Sequence, residues 1–149
     1  TFTGYSSICI ARGLREGGRL LCLDVNQEWA DIGRPFWKQA GVEERIQFLP
    51  GPALPTLRAL DPGTQFDFAF VDAAKTEYEA YYELILPRLR QNGLMVFDNM
   101  LWSGRVVGDQ AGDANGQAID ALNRKLSRDA RLETVLLTIA DGLLLCRKR

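Results

Sequence analysis

Two aspartates, an asparagine and a lysine have the types and spacing of a site for a divalent cation. Asp72 and Lys75 lie three residues apart, and Asn99 directly follows Asp98. Carboxylate and amide oxygens are ligands of hard cations such as Mg²⁺, Mn²⁺ or Ca²⁺. A lysine can act as a general base when a nearby cation lowers its pKa and so favours the neutral amine. The residues predict a metal-assisted proton-transfer site, with a solvated surface lysine as the alternative for Lys75.

A second group of residues has the pattern of a nucleoside site. The opening segment, residues 1–7, combines Gly4 with several hydroxyl side chains. It predicts a turn into a helix that the hydroxyls cap. Asp24 ends the next predicted strand, where an acid accepts hydrogen bonds from a ribose diol. The segment lacks the G-x-G-x-x-G pattern, and these features alone do not separate S-adenosylmethionine from NAD.

Composition and charge exclude several classes of function. The chain has 149 residues, a formal net charge of −1 and no histidine. The missing imidazole excludes Ser-His-Asp and Cys-His nucleophiles, His-ligated zinc and His general bases. The near-zero charge argues against a general nucleic-acid binder. With no long apolar run and no secretory signal in the sequence, we expect a cytoplasmic protein without a membrane partner.

The cysteines do not indicate a metal site or a disulfide framework. Cys9, Cys22 and Cys146 are odd in number and include no C-x-x-C pair. Each lies among apolar residues, which predicts three buried thiols.

Predicted strands alternate with predicted helices along the chain. Short apolar or aromatic runs bounded by turn residues predict strands at 19–24, 46–49, 66–72 and 94–98. Apolar residues three and four apart predict helices at 28–40, 53–60, 77–89 and 117–126. A closing hairpin is predicted where 133–140 and 143–147 flank Asp141–Gly142.

The spacing within two helices also predicts which side chains are buried. In helix 28–40, Trp29, Ile32 and Phe36 define one face. For the aromatic residues Trp29, Phe36 and Trp37, packing against the sheet is favoured over a dimer contact. The predicted buried stripe of helix 77–89 consists of Tyr78, Tyr81, Tyr82, Ile85 and Leu89. Asn92–Gly93 is predicted to stop that helix before the next strand.

This order of elements predicts an α/β fold in one domain, 1–149, with a Rossmann-like, doubly wound, mostly parallel sheet and a C-terminal antiparallel hairpin. Ligands bind such sheets at the carboxyl ends of the strands. Three predicted strands end in an acid, Asp24, Asp72 and Asp98, which is more than turn and cap preferences require. The polar, glycine-rich segment Gly104–Gly116 is predicted to form a loop at the rim of the site.

Six segments of the sequence occur in an order typical of one family. They are TFTGYS (1–6), LD (23–24), GPAL (51–54), FVDAAKTEY (70–78), DNMLWSGRV (98–106) and ADGL (140–143). Together they resemble the cation-dependent O-methyltransferases of the caffeoyl-CoA and catechol type, including their bacterial members. The resemblance covers nearly the whole chain, and 70–78 and 98–106 are its most specific parts. It implies a class I methyltransferase fold and a homodimer.

The resemblance also implies catalytic and metal-binding roles. Lys75 matches the catalytic lysine of the family. Asp72, Asp98 and Asn99 match the ligands of the divalent cation, which would be Mg²⁺, with Mn²⁺ or Ca²⁺ as alternatives. Trp102 matches a tryptophan on the substrate side, with an aromatic residue that anchors the loop as the alternative.

The cofactor implied by the resemblance is S-adenosyl-L-methionine. The matching positions are Thr1, Phe2, Ser6, Asp24, Val25, Gly51, Ala53, Asp72 and Ala73. Asp24 would accept hydrogen bonds from the ribose, and the backbone at Ala53 would meet the adenine.

Two features depart from the family pattern. Ala74 stands where the family commonly has an acid. The family also has a longer N-terminal segment and a first central strand ending in Glu-x-Gly before the position of Thr1. We therefore expect an N-terminally truncated chain that lacks the first strand of the sheet.

The resulting hypothesis is methyl transfer to one hydroxyl of a vicinal diphenol, a small phenolic substrate, with Lys75 accepting the proton. Two alternatives remain open at this point. One is a nicotinamide-dependent oxidoreductase on a Rossmann fold. The other is a truncated domain that binds a cofactor or a partner chain without catalysis.

Overall fold

A computed structural model describes residues 1–108 and 113–149. The described residues form two compact units, Thr1–Ala59 and Leu60–Arg149. Strands and helices alternate in the chain, which confirms the predicted α/β class. The single domain over 1–149 stays a prediction. Among the helices of the described ranges, none is both long and apolar enough to cross a membrane.

The first unit is a parallel strand pair with helices packed on it. Its strands are β1 (Leu20–Asp24) and β2 (Ile46–Pro50), and its helices are α1 (Tyr5–Gly13), α2 (Gln27–Gln39) and α3 (Ala53–Ala59). The two strands run in register from Leu20 opposite Ile46 to Asp24 opposite Pro50. The strands and helices predicted at 19–24, 28–40, 46–49 and 53–60 are confirmed, and each of their ends lies within one residue of the prediction. The core of the unit contains Ala11, Ala30, Trp37 and Val42.

Helix α2 buries a different face from the predicted one. Trp29, Ile32 and Phe36 are exposed, so the predicted packing of Trp29 and Phe36 against the sheet is wrong. Trp37 is buried, which agrees with the prediction that it packs inside the protein. The buried face is set by the close approach of α2 to the backbone at Thr3. A Cβ atom at Gly33 would lie 2.7 Å from the carbonyl oxygen of Thr3. The helix therefore packs through its small residues and Trp37, and it turns its other large apolar side chains outward.

Helix α1 begins without the predicted hydroxyl cap. Gly4 is its N-cap residue, with φ of 83°, and no side chain accepts a hydrogen bond from the first turn. The Ser7 hydroxyl instead accepts a hydrogen bond from the Cys22 thiol at 3.4 Å. Trp37 Nε1 donates to the Gly4 carbonyl at 3.3 Å, which ties the turn to α2.

The predicted burial of all three thiols holds for two of them. Cys22 and Cys146 are buried, and burial raises the pKa of Cys146 to about 12. Cys9 is exposed, so its predicted burial is wrong. The physical reason is its position on α1, which buries only Ser7 and Ala11. Residues two positions from these on a helix face away from them.

The second unit contains a four-stranded mixed sheet. Its elements are β3 (Phe66–Val71), α4 (Tyr78–Ile85), β4 (Leu89–Phe97), α5 (Ala114–Leu126), β5 (Leu132–Leu137) and β6 (Leu143–Lys148). The strand order is β3-β4-β6-β5. β3 and β4 are parallel, while β6 runs antiparallel to both β4 and β5. The predicted C-terminal hairpin is thus confirmed, and it closes a sheet that starts as a parallel pair.

The boundary between α4 and β4 differs from the prediction. The five residues of the predicted stripe are all buried, but Leu89 is the first residue of β4 and not the end of a helix. Asn92–Gly93 does not stop the helix, because it lies inside β4. Asn92 has φ of 62°, and the pairing of β3 with β4 shifts register between Phe66 and Phe68. The turn residues therefore accommodate an irregularity within the strand.

The predicted loop Gly104–Gly116 overlaps two helical elements at its ends. Its first residues lie in Trp102–Val107, a stretch of 3₁₀ turns with a kink at Ser103 and Gly104, where the backbone is left-handed. Its last residues form the first turn of α5, which begins three residues earlier than predicted. The start is early because the Asp113 carboxylate accepts a hydrogen bond from the Gly116 N–H at 3.0 Å and caps the helix. The part of the predicted rim loop at 109–112 lies outside the described residues.

Replacing Trp37 should destabilise the protein far more than replacing Trp29. Trp37 is 1% exposed and Trp29 is 43% exposed on the same helix. We expect Trp37→Ala to lower the free energy of unfolding by about 3–5 kcal/mol, because it leaves a cavity. Trp29→Ala should lower it by less than about 1 kcal/mol. Urea unfolding followed by circular dichroism measures both, and equal losses would contradict the packing of α2.

Candidate active site

Lys75 lies at the centre of a hydrogen-bonded cluster in the second unit. Its Nζ atom lies 2.9 Å from Asp72 Oδ1, 2.7 Å from Asn99 Oδ1 and 2.6 Å from the Tyr78 hydroxyl. The side chain is only 9% exposed, so it is not a solvated surface lysine. An ammonium group has three N–H donors, and the three oxygens match that number.

The cluster is positioned by the carboxyl ends of β3 and β4. Asp72 directly follows β3, and Asp98 directly follows β4. The Asp98 N–H donates to the Val71 carbonyl at 3.1 Å, which holds the two strand ends together. Asn99 has φ of 58°, a left-handed conformation that asparagine adopts more readily than most residues. This conformation accompanies the contact of its side-chain oxygen with Lys75.

Tyr78 connects Lys75 to the end of β4. A 3₁₀ turn, Lys75–Glu77, leads directly into α4, so Tyr78 follows Lys75 by one turn. The hydroxyl donates to the Asp98 carbonyl oxygen at 3.2 Å. Burial, and after it the negative charge of Asp72, raises the pKa of Tyr78 well above its ordinary value. The hydroxyl is therefore protonated and available as a donor at neutral pH.

The oxygens of this cluster suit a cation. Asp72 Oδ1 and Asn99 Oδ1 already contact one positive charge, and the Asp72 side chain remains 51% exposed. Asp98 Oδ1 accepts the Asn99 N–H at 2.7 Å, which fixes that carboxylate. Two carboxylates and an amide are a donor set that Mg²⁺ accepts with further oxygen ligands. Over residues 1–108 and 113–149, no three Cys, Asp or Glu side chains form a metal-binding group by themselves.

The hairpin loop between β5 and β6 supports the segment that follows Asn99. The Met100 N–H donates to the Gly142 carbonyl at 3.0 Å, and the Leu101 N–H donates to the Asp141 carbonyl at 2.9 Å. Gly142 has φ of 88°, and a Cβ atom there would lie 2.6 Å from Leu101 Cγ. The Asp141–Gly142 pair therefore both turns the chain and holds the site segment.

Trp102 anchors the loop to the start of α5. Its Nε1 atom donates to Asp113 Oδ2 at 2.9 Å, and Arg105 lies 3.5 Å from the same oxygen. This geometry matches the role of a loop anchor.

Asp24 is the centre of the candidate nucleoside site in the first unit. Its Oδ1 accepts the Asn26 N–H and its Oδ2 accepts the Phe2 N–H, both at 2.9 Å. The Gly51 N–H donates to the Asp24 carbonyl oxygen at 2.8 Å, which links the ends of β1 and β2. Partial burial acts to raise the pKa of Asp24, but hydrogen bonds to its carboxylate, among them those from the Asn26 and Phe2 N–H groups, hold the pKa below its ordinary value. An ionised carboxylate of fixed direction fits a ribose diol.

The other predicted cofactor positions divide between the two units. In the first unit, the side chains of Phe2 and Val25 are exposed. Phe2 contacts Asp24 through its N–H, and Val25 follows Asp24 in the chain. Ser6 is an exposed residue in the first turn of α1, and Ala53 is the first residue of α3. In the second unit, Ala73 is exposed beside Asp72.

Two features of the site were missed by the sequence analysis. Both lie in segments that resemble the family, 70–78 and 140–143, but Tyr78 was otherwise predicted only as a buried helix residue and Asp141–Gly142 only as a turn. The signal for Tyr78 was its position three residues after Lys75, because side chains at that spacing on a helical turn can touch. No local signal places Asp141–Gly142 against residues 99–101, because the contact joins segments far apart in the sequence.

The fold and the polar residues at the strand ends are typical of class I methyltransferases. The sequence model of the O-methyltransferase family matches residues 1–149, and the chain belongs to that family.

Two relatives of the chain agree with this assignment. The chain is 37% identical to caffeoyl-CoA O-methyltransferase 1 of Eucalyptus globulus, with 99% of the chain and 63% of the relative aligned. It is 42% identical to the catechol O-methyltransferase domain-containing protein 1 of Mus musculus, with 99% and 58% aligned. The chain thus spans less than two thirds of the length of these two relatives.

A solved structure gives the same result for the fold. The O-methyltransferase TomG of Streptomyces achromogenes, involved in tomaymycin synthesis and solved in complex with S-adenosylmethionine, superposes with a TM-score of 0.91 at 30% identity. The superposition covers 99% of this chain and 70% of TomG. The class I methyltransferase fold is therefore confirmed.

Replacing Gly142 with alanine should disturb the site segment. We expect Gly142→Ala to lower the free energy of unfolding by about 1–3 kcal/mol, because alanine is strained at positive φ. It should also move the amide NMR signals of residues 99–101, because the new Cβ atom meets Leu101. Gly41→Ala is the matched control, since Gly41 has φ of 67° with nothing within 4 Å of the added Cβ atom. Equal changes of these signals in the two variants would contradict the contact between Gly142 and residues 99–101.

Proposed function

We propose that the chain carries an S-adenosylmethionine-dependent, divalent-cation-dependent O-methyltransferase activity toward one hydroxyl of a vicinal diphenol. The observation that carries this proposal is the buried Lys75 ammonium held among Asp72, Asn99 and Tyr78 oxygens. Family membership supports O-methyl transfer as the reaction type. The TomG complex supports the cofactor.

Among the cofactor residues proposed in the first unit, Phe2 and Gly51 contact Asp24 and Val25 follows it in the chain. The ionised Asp24 carboxylate would accept hydrogen bonds from the ribose hydroxyls, while the exposed Val25 side chain offers an apolar surface to the adenine. Gly51 leaves open space beside the backbone, since nothing lies within 4 Å of a Cβ atom added there. S-adenosylmethionine, when bound, supplies the methyl group, which leaves its sulfonium sulfur as the phenol oxygen bonds to it.

The cation ligands proposed in the second unit are Asp72, Asp98 and Asn99. A divalent cation held there would supply positive charge that stabilises a deprotonated phenol oxygen. A vicinal diphenol has two adjacent oxygens and suits such a cation as a bidentate ligand, which is why the substrate is assigned to this class. The Asn99 N–H bond to Asp98 keeps one ligand fixed.

Lys75 is the proposed proton acceptor. In its neutral form, Nζ takes the proton of the reacting hydroxyl and becomes an ammonium group. The three oxygens within 2.9 Å of Nζ then stabilise the new charge, because each accepts one of its N–H donors. Low exposure of the side chain limits competition from water for the same oxygens.

The partners of the protein follow from the resemblance and remain predictions. They are a small phenolic substrate and a second copy of the chain in a homodimer. The cytoplasmic location is likewise a prediction from the sequence. The comparisons do not favour the nicotinamide-dependent alternative. The non-catalytic alternative is decided by the activity assay below.

Methyl transfer to a catechol should require both a cation and Lys75. We expect EDTA to abolish transfer from S-adenosylmethionine, and Mg²⁺ to restore it. Lys75→Met should lower kcat by about 10²-fold or more, the usual contribution of a general base. Lys38→Met, at an exposed position on α2, is the control and should keep full activity. Activity that persists in EDTA would contradict the cation, and full activity of Lys75→Met would contradict its role as the base.

Asp24→Asn should weaken cofactor binding. Removing the charge while keeping the shape should raise the Kd for S-adenosylhomocysteine about tenfold or more, because a hydrogen bond to a charged group is lost. Asp31→Asn is the control, since Asp31 is exposed on α2 and pairs with Arg34. Isothermal titration calorimetry measures both without any turnover. An unchanged Kd for Asp24→Asn would contradict the ribose assignment, and stronger binding of NADH than of S-adenosylhomocysteine would favour the oxidoreductase.

A further inference from the structure

The Tyr78 hydroxyl both accepts and donates hydrogen bonds. It accepts one from Lys75 Nζ at 2.6 Å and donates one to the Asp98 carbonyl oxygen at 3.2 Å. A phenol has a single O–H donor, so donation to Asp98 leaves a lone pair for Lys75. The direction of the hydroxyl is therefore fixed by the backbone at the end of β4.

The ring that carries this hydroxyl is held firmly. Tyr78 is fully buried, and its ring centroid lies 5.6 Å from that of Phe97. The Nζ atom of Lys75 also lies 4.7 Å from the Tyr78 ring centroid. A buried aromatic ring at the start of a helix has little freedom to move, so its hydroxyl is a fixed point for Lys75.

The three hydrogen-bond acceptors around Lys75 differ in their other proposed roles. Asp72 and Asn99 are also the proposed ligands of the cation, and Asp72 is partly exposed. Tyr78 contacts Lys75 from within the core and has no proposed role toward the cation. It is the acceptor whose geometry depends least on what binds at the surface of the site.

We propose that Tyr78 is the positioning residue for Lys75, holding Nζ at the end of β4 through the Asp98 carbonyl. This inference rests on the proposed function of Lys75 as the proton acceptor. Tyr78 does not exchange a proton with the substrate in this role. It sets the place from which Lys75 reacts.

The first test measures the position of Lys75 without any turnover. Tyr78→Phe removes the hydroxyl and keeps the ring, and acetic anhydride labelling of Lys75 is followed by peptide mass spectrometry. We expect the labelling rate to rise about tenfold, since Nζ loses one of the three hydrogen bonds that hold it inside the cluster. Tyr81→Phe is the matched control, because its hydroxyl lies on the same helix and bonds to Glu77. A labelling rate equal to that of the parent protein would overturn the proposal.

The second test asks whether Tyr78 acts through Lys75. We expect Tyr78→Phe to lower kcat for catechol methylation about tenfold or more, with an unchanged KM for S-adenosylmethionine. In the Lys75→Met background the same substitution should cause no further fall. Equal falls in both backgrounds would overturn the proposal. If the parent protein methylates no phenol, the proposed function fails, while the labelling test still decides the position of Lys75.

A third variant separates the two hydrogen bonds and guards against misfolding of Tyr78→Phe. Site-specific p-aminophenylalanine at position 78 keeps an N–H donor for the Asp98 carbonyl. Its lone pair is delocalised into the ring and is a poor acceptor for Lys75. We expect a parent-like melting temperature with faster labelling of Lys75. Labelling at the parent rate in this folded variant would overturn the proposal.

Discussion

The buried charge of Lys75 is the constraint around which the second unit is organised. An ammonium group taken from water must have its donors satisfied, or it loses several kcal/mol of solvation. Here the satisfaction comes from three separate elements: the end of β3, the start of α4 and the end of β4. The same contacts that make burial of the charge tolerable also define where a proton can be received. Stability and chemistry thus depend on one set of oxygens.

Much of the fold could be predicted from the sequence because its signals are local. Runs such as Phe66–Val71 and the spacing of Tyr78, Tyr81 and Tyr82 determine a strand and a helix face within a few residues. The failures have tertiary causes. Helix α2 was assigned the wrong face because its approach is set by Gly33 against the Thr3 carbonyl, a contact that apolar periodicity does not encode. Asn92–Gly93 signals a turn, yet pairing with β3 keeps it inside a strand.

The candidate site was predictable in its residue types and less so in its supports. Asp72, Lys75 and Asn99 follow from strand ends and spacing, and the structure brings them into contact. Asp98 reaches Lys75 only indirectly, through Asn99 and Tyr78. The supporting contacts from Asp141 and Gly142 cross about forty residues of chain, and no pattern of period 2 or 3.6 reports such a distance. Only the folded chain brings these segments together.

Two requirements restrict the residue type at position 99, one from the backbone and one from the side chain. The Asn99 backbone is left-handed at φ of 58°, while its side-chain oxygen contacts Lys75. Glycine would satisfy the backbone and lose the oxygen. Glutamine would keep the amide but fit the backbone poorly, and aspartate would fit the backbone but add a negative charge. Few substitutions at position 99 therefore keep both the left-handed backbone and a neutral side-chain oxygen, so the chemistry of the site is difficult to change through this residue.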